Sequence, residues 1–282
     1  MFEGECWWIT GASSGIGEGI ALSVAANGAR VILSGRNTDA LERVADLCGV
    51  DKCLIMPFDV RDFTAIPTYV ETALAWAGRI DCLVNNAGIS QRSLAAETDF
   101  SVYETIIAID LLAPIALTQA LLPFMIGQGH GRIIAISSVA GIVGAPMRSA
   151  YSAAKHGLFG YFDSVRAENA HQGLAVHVIA PGSVKTNVSR NALIADGSRR
   201  GKSDAAIEAG LSVDDAVAAI ISAVKNGTRE LILATGIEDH IAHLRRSNPD
   251  ALFDMLSASV ASGYATKMDA SEDALITGPT LS

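Results

Sequence analysis

Short apolar runs alternate with amphipathic stretches along most of the chain. The runs have the length and composition of parallel strands buried on both faces, and they occupy residues 6–10, 31–33, 52–57, 80–84, 131–136, 175–180 and 230–233. Helical spacing between them predicts helices over residues 16–27, 63–76, 102–126, 149–171 and 213–225, with one or two more over 238–262. This alternation indicates an α/β fold: a doubly wound, seven-stranded parallel sheet with helices on both faces.

One domain accounts for this pattern, because the chain shows no internal repeat and no linker. We expect the domain to cover residues 1–262. Within it, residues 187–211 follow the sixth predicted strand and are polar with weak periodicity. A long segment at a strand end of an α/β enzyme commonly covers the substrate, so these residues are predicted to form a lid. Residues 263–282 are largely polar and are predicted to form a mobile tail.

The composition describes a globular protein with a large core. Hydrophobic residues make up 50% of the 282 residues and charged residues 18%, and the formal net charge is −9. A negative charge without a basic stripe argues against a nucleic-acid partner and against binding to an anionic membrane surface. The first residues lack the basic and apolar regions of a signal peptide, and we expect no membrane span.

The cysteines and histidines indicate neither a disulfide framework nor a metal site. The four cysteines form no C-x-x-C pair, which is typical of free thiols in a reducing compartment. His240 and His243 are three residues apart but lack a third ligand at fitting spacing. We therefore expect a cytoplasmic protein without a bound metal.

A glycine-rich turn of sequence GASSGIG, residues 11–17, joins the first predicted strand to the first helix. Together with the following strand they make a βαβ unit. Glycines in such a turn let the backbone approach a pyrophosphate, whose charge is stabilised at the amino end of the helix. The turn alone is weak evidence, but in this context it predicts a dinucleotide-binding site. Its spacing, G-x-x-x-G-x-G, departs from the common G-x-G-x-x-G.

Arg36 follows the second predicted strand, where dinucleotide sites distinguish their cofactors. NAD sites commonly carry an acidic residue here that binds the ribose 2′-hydroxyl, whereas an arginine accommodates the 2′-phosphate of NADP. The first acidic residue after the strand is Asp39, which is better placed at the start of the next helix. NADP is therefore predicted over NAD, with a solvated loop charge as the alternative reading of Arg36.

Tyr151 and Lys155 are four residues apart in the predicted helix 149–171 and so project from one face. A tyrosine hydroxyl is a serviceable acid at neutral pH, and a nearby ammonium stabilises the phenolate form. The pair could therefore exchange a proton with a carbonyl or alcohol oxygen. The same spacing also fits an ordinary solvated helix face, so its meaning depends on the other motifs.

Several motifs occur in the order and spacing of the short-chain dehydrogenase/reductase family. They are residues 10–17, Asp59-Val60, Asn85-Asn86-Ala87-Gly88, Ser138, Tyr151-x-x-x-Lys155 and Pro181-Gly182. The match extends to about residue 235. Within the family, residues 117–123, 191–193 and 196–198 resemble the branch called dehydrogenase/reductase family member seven. The resemblance implies a single-domain Rossmann fold and an NADP-dependent enzyme that acts on CH-OH groups of a small carbonyl or alcohol. It also implies a homodimer or homotetramer formed through the two longest predicted helices.

The resemblance assigns catalytic roles to three of these residues. Tyr151 would donate a proton to a carbonyl oxygen during reduction or accept one from an alcohol during oxidation. Lys155 would support the charge on the tyrosine and hold the nicotinamide ribose. Ser138 would hydrogen-bond the substrate oxygen. Ser137 is the alternative for that role, and the spacing to Tyr151 favours Ser138.

Cofactor contacts are implied by the same resemblance. The residues expected at the pyrophosphate are Thr10, Gly11, Ser13, Gly15, Ile16 and Gly17. Those expected around the adenosine are Asp59, Val60, Asn86, Ala87 and Gly88, with Ser14 and Arg36 at the 2′-phosphate. Those expected at the nicotinamide end are Pro181, Gly182, Val184 and Thr186, with Tyr151 and Lys155.

Asp110 departs from the family pattern. The family usually has an asparagine here, which completes a Ser-Tyr-Lys-Asn set through an ordered water. A carboxylate would stabilise charged Lys155, directly or through water, and would oppose a Tyr151 phenolate. Two hypotheses follow. Asp110 serves catalysis with a shifted pH dependence, or the site is impaired and the protein is an NADP-binding sensor or scaffold.

Substrate contacts are predicted in residues 139–148 and 187–211. These segments mix apolar side chains with a few polar ones, which suggests a moderately apolar carbonyl or alcohol.

Overall fold

A computed structural model describes residues 2–269 of the chain. Its centre is a parallel sheet of seven strands in the order β3-β2-β1-β4-β5-β6-β7. The strands are β1 Cys6–Thr10, β2 Arg30–Gly35, β3 Cys53–Pro57, β4 Cys82–Asn85, β5 Gly131–Ile136, β6 Leu174–Pro181 and β7 Glu230–Leu233. The predicted doubly wound α/β fold is confirmed. Because the winding reverses between β1 and β4, the carboxyl ends of these strands flank the crevice in which such folds bind ligands.

Eleven α-helices are found among the described residues. The first six are α1 Gly15–Ala26, α2 Thr38–Cys48, α3 Ile66–Ala77, α4 Phe100–Ile107, α5 Ala113–Gln128 and α6 Ser149–Asn169. The others are α7 Ala205–Glu208, α8 Val213–Lys225, α9 Gly236–Ser247, α10 Pro249–Ala261 and α11 Tyr264–Asp269.

Trp7 and Trp8, adjacent in β1, show how the sheet is covered. Successive side chains of a strand point to opposite faces, and both indoles are fully buried. Trp7 packs in a core with α1, α2 and α8, whereas Trp8 packs in a second core with α3, α5 and α6. The helices therefore form one layer on each face, and β1 is buried on both sides.

The predicted helix 102–126 is longer than expected and is not regular. It runs from Phe100 to Gln128, and a π-helical turn, Ala108–Leu112, separates α4 from α5. Pro114 follows this turn in the first turn of α5. A proline lacks the backbone N–H and crowds the preceding turn, so a wider turn just before it relieves both problems. The π turn holds Asp110.

The same stretch, 100–128, is long enough to cross a membrane and contains an 18-residue window whose mean hydropathy (1.9) would also suffice. Here it lies within the fold: Leu117 and Leu121 pack in the second core, and Asp110 is paired with Lys155. Such a combination of length and hydropathy is also met in core helices of α/β domains.

The segment 187–211, predicted as a lid, contains the short helix α7 and a hairpin in which Leu193 pairs with Arg199. Of the predicted tail 263–282, the first part forms α11, and residues 270–282 lie outside the described residues.

Candidate active site

A cavity of about 380 Å³ opens at the carboxyl ends of the strands. Almost every residue predicted for the site lines it. These residues are Gly11, Ser13, Ser14, Gly15, Ile16, Arg36, Asp59, Val60, Asn86, Ala87, Gly88, Asp110, Ser138, Tyr151, Lys155, Pro181, Gly182, Val184 and Thr186. The structure thus brings together residues that are up to 175 positions apart, from Gly11 to Thr186.

Thr10 and Gly17 are the two predicted residues that do not line the cavity. The hydroxyl of Thr10 donates to the carbonyl oxygen of Val84 at 3.2 Å and accepts from the amide of Asn86 at 3.0 Å, so it joins β1 to the loop after β4. A side chain at Gly17 would overlap the carbonyl oxygen of Gly11. Both residues therefore shape the glycine-rich turn from behind rather than facing a ligand.

The turn itself fits a pyrophosphate. Gly11 and Gly15 have φ of 66° and 58°, and a Cβ on Gly11 would lie 2.8 Å from Asn86 Nδ2. Glycine adopts this left-handed backbone without strain. Ser14 precedes α1, and its side chain makes no hydrogen bond to the first helical turn. The amide groups at the positive end of α1 are therefore not capped by a side chain and suit an anion.

Arg36 stands exposed at the end of β2 and lines the cavity. Close by, the Asp59 carboxylate is paired with Arg61 at 2.7 Å. The hydrogen bond from Arg61, together with the charge of Arg36, lowers the pKa of Asp59 below its ordinary value. Asp39 lies in the first turn of α2, as expected, and does not line the cavity. This end of the cavity is therefore cationic.

Ser137 and Ser138, at the end of β5, have different environments. The Ser137 hydroxyl is buried and donates to the carbonyl oxygen of Lys155 at 2.9 Å. Ser138 is partly exposed, and its hydroxyl accepts from the amide of Ala140 at 3.1 Å and donates to Pro181 O over 3.3 Å. The Ser138 donor is weakly engaged, so it can turn to a substrate oxygen.

Lys155 is 4% exposed, and its ammonium lies 5.5 Å from the centre of the Tyr151 ring. The ammonium donates to the carbonyl oxygen of Ile136 at 3.0 Å. Because Ile136 ends β5, this bond fixes the lysine against the strand that also carries Ser138. Tyr151 and Lys155 point from one face of α6 into the cavity, as their spacing predicts.

Asp110 is completely buried and lies directly beside Lys155. Its Oδ2 is 3.2 Å from the Lys155 ammonium, and its Oδ1 accepts from the amide of Ile89 at 2.9 Å. Burial disfavours the lysine cation, but the charge of Asp110 and the interaction with Tyr151 outweigh it and raise the pKa of Lys155. Burial also raises the pKa of Asp110, against the lowering effects of Lys155 and the Ile89 amide. The contact is a direct ion pair.

Sequence reasoning missed several lining residues and misplaced one segment. The missed residues include Phe58, Arg61 and Ile89, which follow strand ends, and Thr105 and Ile109 of the helical stretch 100–128. Other lining residues lie in the segment 187–211, which is predicted to contact substrate: Val188, Asn191, Arg199 and Ile207. In the segment 139–148, predicted to contact substrate, Ile142 and Val143 are instead buried in a small core with Leu252 of α10. These side chains are buried because the C-terminal helices cover the segment. No sequence motif indicates that these helices pack there.

Comparison with known proteins agrees with this geometry. The family profile described as short chain dehydrogenase matches residues 5–196. A protein of Anopheles gambiae named Dehydrogenase/reductase SDR family protein 7-like is 39% identical over 258 residues, covering 89% of this chain and 81% of that protein.

Solved structures show the same architecture. A short-chain dehydrogenase from Streptomyces avermitilis is 30% identical with a TM-score of 0.74, over 93% of this chain and 95% of the other. A metagenomic short-chain oxidoreductase in complex with NADP is 28% identical with a TM-score of 0.68, over 82% and 97%. A Burkholderia phymatum homologue in complex with NAD, at 21% identity and TM-score 0.79 over 89% and 95%, shows the fold alone. The chain belongs to the short-chain dehydrogenase/reductase family, oxidoreductases that bind a nicotinamide cofactor.

Proposed function

We propose that the protein is an NADP(H)-dependent oxidoreductase that interconverts a carbonyl and a primary or secondary alcohol. One observation carries the proposal. Ser138, Tyr151 and Lys155 line the same cavity as the glycine-rich turn, 11–17, which can hold a dinucleotide.

The residues around the cavity fit the cofactor from end to end. The amides of the turn and of the first turn of α1 would hold the pyrophosphate, and the loop after β6, with Val184 and Thr186, would hold the nicotinamide end. Glu238 of α9 accepts hydrogen bonds from the amide and hydroxyl of Ser183, at 2.7 and 2.8 Å, and so fixes that loop. The bound cofactor supplies or accepts the hydride.

The protein supplies the proton and the electrostatics. In reduction, the Tyr151 hydroxyl donates its proton to the carbonyl oxygen, and in oxidation the phenolate accepts the alcohol proton. Ser138 exchanges its bond to Pro181 O for one to the substrate oxygen, where negative charge develops. The Lys155 ammonium favours negative charge on Tyr151, and the Asp110 carboxylate at 3.2 Å offsets part of that effect.

Exchange of Tyr151→Phe tests the role in proton transfer. Oxidation of NADPH is followed against a panel of ketones and aldehydes for the parent and the variant. Loss of a positioned acid is expected to lower kcat by roughly 10²- to 10⁴-fold. NADPH affinity, measured by fluorescence titration, serves as the control and is expected to persist.

Cofactor binding without turnover on any substrate would favour the other hypothesis, an NADP-binding sensor or scaffold. In that case the Asp110→Asn variant, which restores the family's usual residue, is expected to gain turnover. A parent protein that binds neither NADPH nor NADH would contradict both hypotheses.

The preference for NADP over NAD is supported by the cationic end of the cavity. Arg36→Asp removes the cation that would bind the 2′-phosphate and adds a carboxylate that suits a 2′-hydroxyl. We expect the ratio of kcat/KM for NADPH to that for NADH to fall by at least about tenfold, in line with loss of a charge-assisted hydrogen bond. Arg61→Gln is the matched control, because Arg61 is already paired with Asp59. An unchanged ratio in Arg36→Asp would leave Arg36 as a solvated loop charge.

We further propose that the protein acts in the cytoplasm. All four cysteines are free thiols, which suits a reducing compartment.

A further inference from the structure

A small hairpin in the segment 187–211 borders the cavity. The amide of Ile194 donates to Ser198 O at 2.9 Å, and the amide of Arg200 donates to Ala192 O at 2.9 Å. Leu193 and Arg199 are direct partners in this antiparallel pairing. Side chains of directly opposed residues lie on the same face of a hairpin, and those of adjacent residues lie on opposite faces.

The two faces of the hairpin have different surroundings. Leu193 and Arg199 both line the cavity that holds Tyr151 and Lys155. The neighbouring Arg200 is turned away, with a side chain that is 5% exposed and paired with Asp204. The alternation along the hairpin therefore directs Arg199 towards the cavity, as the lining of the cavity independently shows.

The hairpin is held firmly to the body of the protein. The Leu193 amide donates to Ser90 O and its carbonyl accepts from the Arg92 amide, both at 2.8 Å. The Arg92 guanidinium in turn is paired with Asp204 at 2.5 Å, inside the protein. Arg199 is thus carried on a backbone that is already fixed, which reduces the entropy lost when it binds a ligand.

Arg199 is the charged residue of the cavity to which we have given no role in cofactor binding or catalysis. Lys155 is paired with Asp110, and Arg61 with Asp59. Arg36 stands at the other end, after β2. Within the described part of the chain, no carboxylate forms an ion pair with Arg199, and its side chain is exposed at the cavity.

The part of the lining that no cofactor or catalytic role accounts for includes several apolar side chains, together with Thr105, Asn187 and Asn191. The apolar ones are Ile89, Ile109, Val188, Leu193 and Ile207. A guanidinium among such side chains matches a ligand with an apolar body and one anionic group. One arginine presents two parallel N–H groups, which fit one carboxylate.

We propose that Arg199 binds a carboxylate of the substrate, so that the enzyme acts on apolar keto acids or hydroxy acids whose carboxylate is remote from the reacting carbon. This inference rests on the proposed carbonyl–alcohol activity. It names carboxylate-bearing compounds as the substrates of the cavity. It also gives Arg199, which is not one of the catalytic residues, a role in substrate specificity.

A series of paired substrates tests it. Straight-chain keto acids with two to eight methylenes between ketone and carboxylate are each compared with their methyl esters, using NADPH as reductant. The parent is expected to prefer the acid at one range of lengths. Arg199→Gln is expected to lower kcat/KM for that acid by roughly tenfold, as for a lost hydrogen bond to a charged group, with the ester unaffected. The kcat/KM of Arg199→Lys for that acid is expected to lie between the values of the parent and of Arg199→Gln.

Arg190→Gln is the matched control. Arg190 belongs to the same segment, is exposed, donates to the carbonyl oxygen of Gly201, and does not line the cavity. This variant is expected to keep the preference for the acid. The inference would be overturned if Arg199→Gln lowered kcat/KM equally for the acid and the ester, or if the parent had the same kcat/KM for both. Either result would leave the proposed oxidoreductase activity intact.

A binding measurement separates this inference from the proposed function. Calorimetry of the protein–NADP⁺ complex with the same acids and esters needs no turnover. Tighter binding of the acid, lost in Arg199→Gln and kept in Arg190→Gln, supports the carboxylate site even if no substrate is reduced. If the Arg199→Gln variant instead loses affinity for NADP⁺ itself, Arg199 contacts the cofactor and the inference is wrong.

Discussion

Asp110 and Lys155 carry opposite charges and are in direct contact, so the negative charge of Asp110 offsets the positive charge of Lys155. Both side chains are buried, so their interaction is little screened by water. An aspartate at this position therefore weakens the field that Lys155 exerts on Tyr151, compared with an asparagine of the same shape. The sequence predicts such a contact, and the structure shows that it is direct at 3.2 Å.

Asp110→Asn is expected to move the pH profile of alcohol oxidation towards lower pH. Removing the carboxylate leaves the ammonium unopposed, which favours the phenolate that accepts the proton. The profile of kcat between pH 6 and 10 is the measurement. Superimposable profiles would show that Asp110 has no special influence on the proton-transfer step.

Ser137 and Ser138 are adjacent in sequence, but we expect them to have different roles. Ser138→Ala is expected to lower kcat, and to lower the free energy of unfolding only through loss of the bond from the Ala140 amide, because its bond to Pro181 O is long. Ser137→Ala is expected to cost about 1 kcal/mol of stability through the lost buried bond to Lys155 O. Urea denaturation and steady-state kinetics of both variants check this. A larger kinetic effect at Ser137 would reverse the assignment.

At the scale of elements, the segment 187–211 is anchored through one buried carboxylate. Asp204 is paired with Arg92, Arg148 and Arg200, which come from three different parts of the chain. Burial alone would raise the pKa of Asp204, but the charge of Arg92, its hydrogen bond and the other guanidinium groups lower it to about 2. The ion pairs thus hold the hairpin and α7 against the loop after β4.

The lowered pKa has a consequence for acid stability. A carboxyl whose folded pKa lies below its unfolded value stabilises the fold above the unfolded value, near pH 4, and this contribution is lost as the pH falls to about 2. The difference corresponds to about 2 kcal/mol. Asp204→Asn is expected to lose this pH dependence and, by leaving buried guanidinium groups unpaired, to be less stable by about 3 kcal/mol at neutral pH. Urea denaturation from pH 2 to 7 measures both effects, and parallel curves for parent and variant would contradict the assignment.

Local patterns predicted the strands and the residues at their carboxyl ends, because each motif lies directly after an apolar run. They did not predict the arginine cluster. Arg200 and Asp204 are four residues apart, but Arg92 and Arg148 are more than 50 residues away from both, and only the folded chain brings the four together. The π-helical turn at Asp110 was missed for a related reason. One extra residue in a turn barely disturbs a hydrophobic period, so the helix 100–128 looks regular in sequence.

For the whole molecule, the helix pair 100–128 and 149–169 suggests how copies of the chain associate. Phe100, Leu112 and Phe124 are 75%, 43% and 47% exposed along the first of them. Large exposed apolar side chains on one element commonly mark an interface. We propose that the exposed surface of this helix around Phe124 forms part of a homodimer or homotetramer contact, as the resemblance to the family implies.

Phe124→Glu places a charge within that surface and is expected to shift the protein towards smaller assemblies. Light scattering after size-exclusion chromatography measures the mass. Phe253→Glu is the matched control, since Phe253 is equally exposed, at 49%, but lies on α10. A monomeric parent, or a change confined to the control, would contradict the proposed interface.

The two adjacent tryptophans of β1 give this fold a built-in optical reporter. Trp7 senses only the layer formed by α1, α2 and α8, and Trp8 only the layer formed by α3, α5 and α6. The Trp8 indole also donates to the Ser34 hydroxyl at 3.0 Å, near the end of the strand that leads to Arg36. The chain has a third tryptophan, Trp76 of α3. Replacing Trp76 together with either indole of β1 by phenylalanine leaves one indole, whose emission reports on its own helix layer. Comparing the two double variants shows whether the two helix layers come apart together or one before the other. Because the two adjacent side chains of β1 are packed in different layers, their emission can be used to measure folding cooperativity.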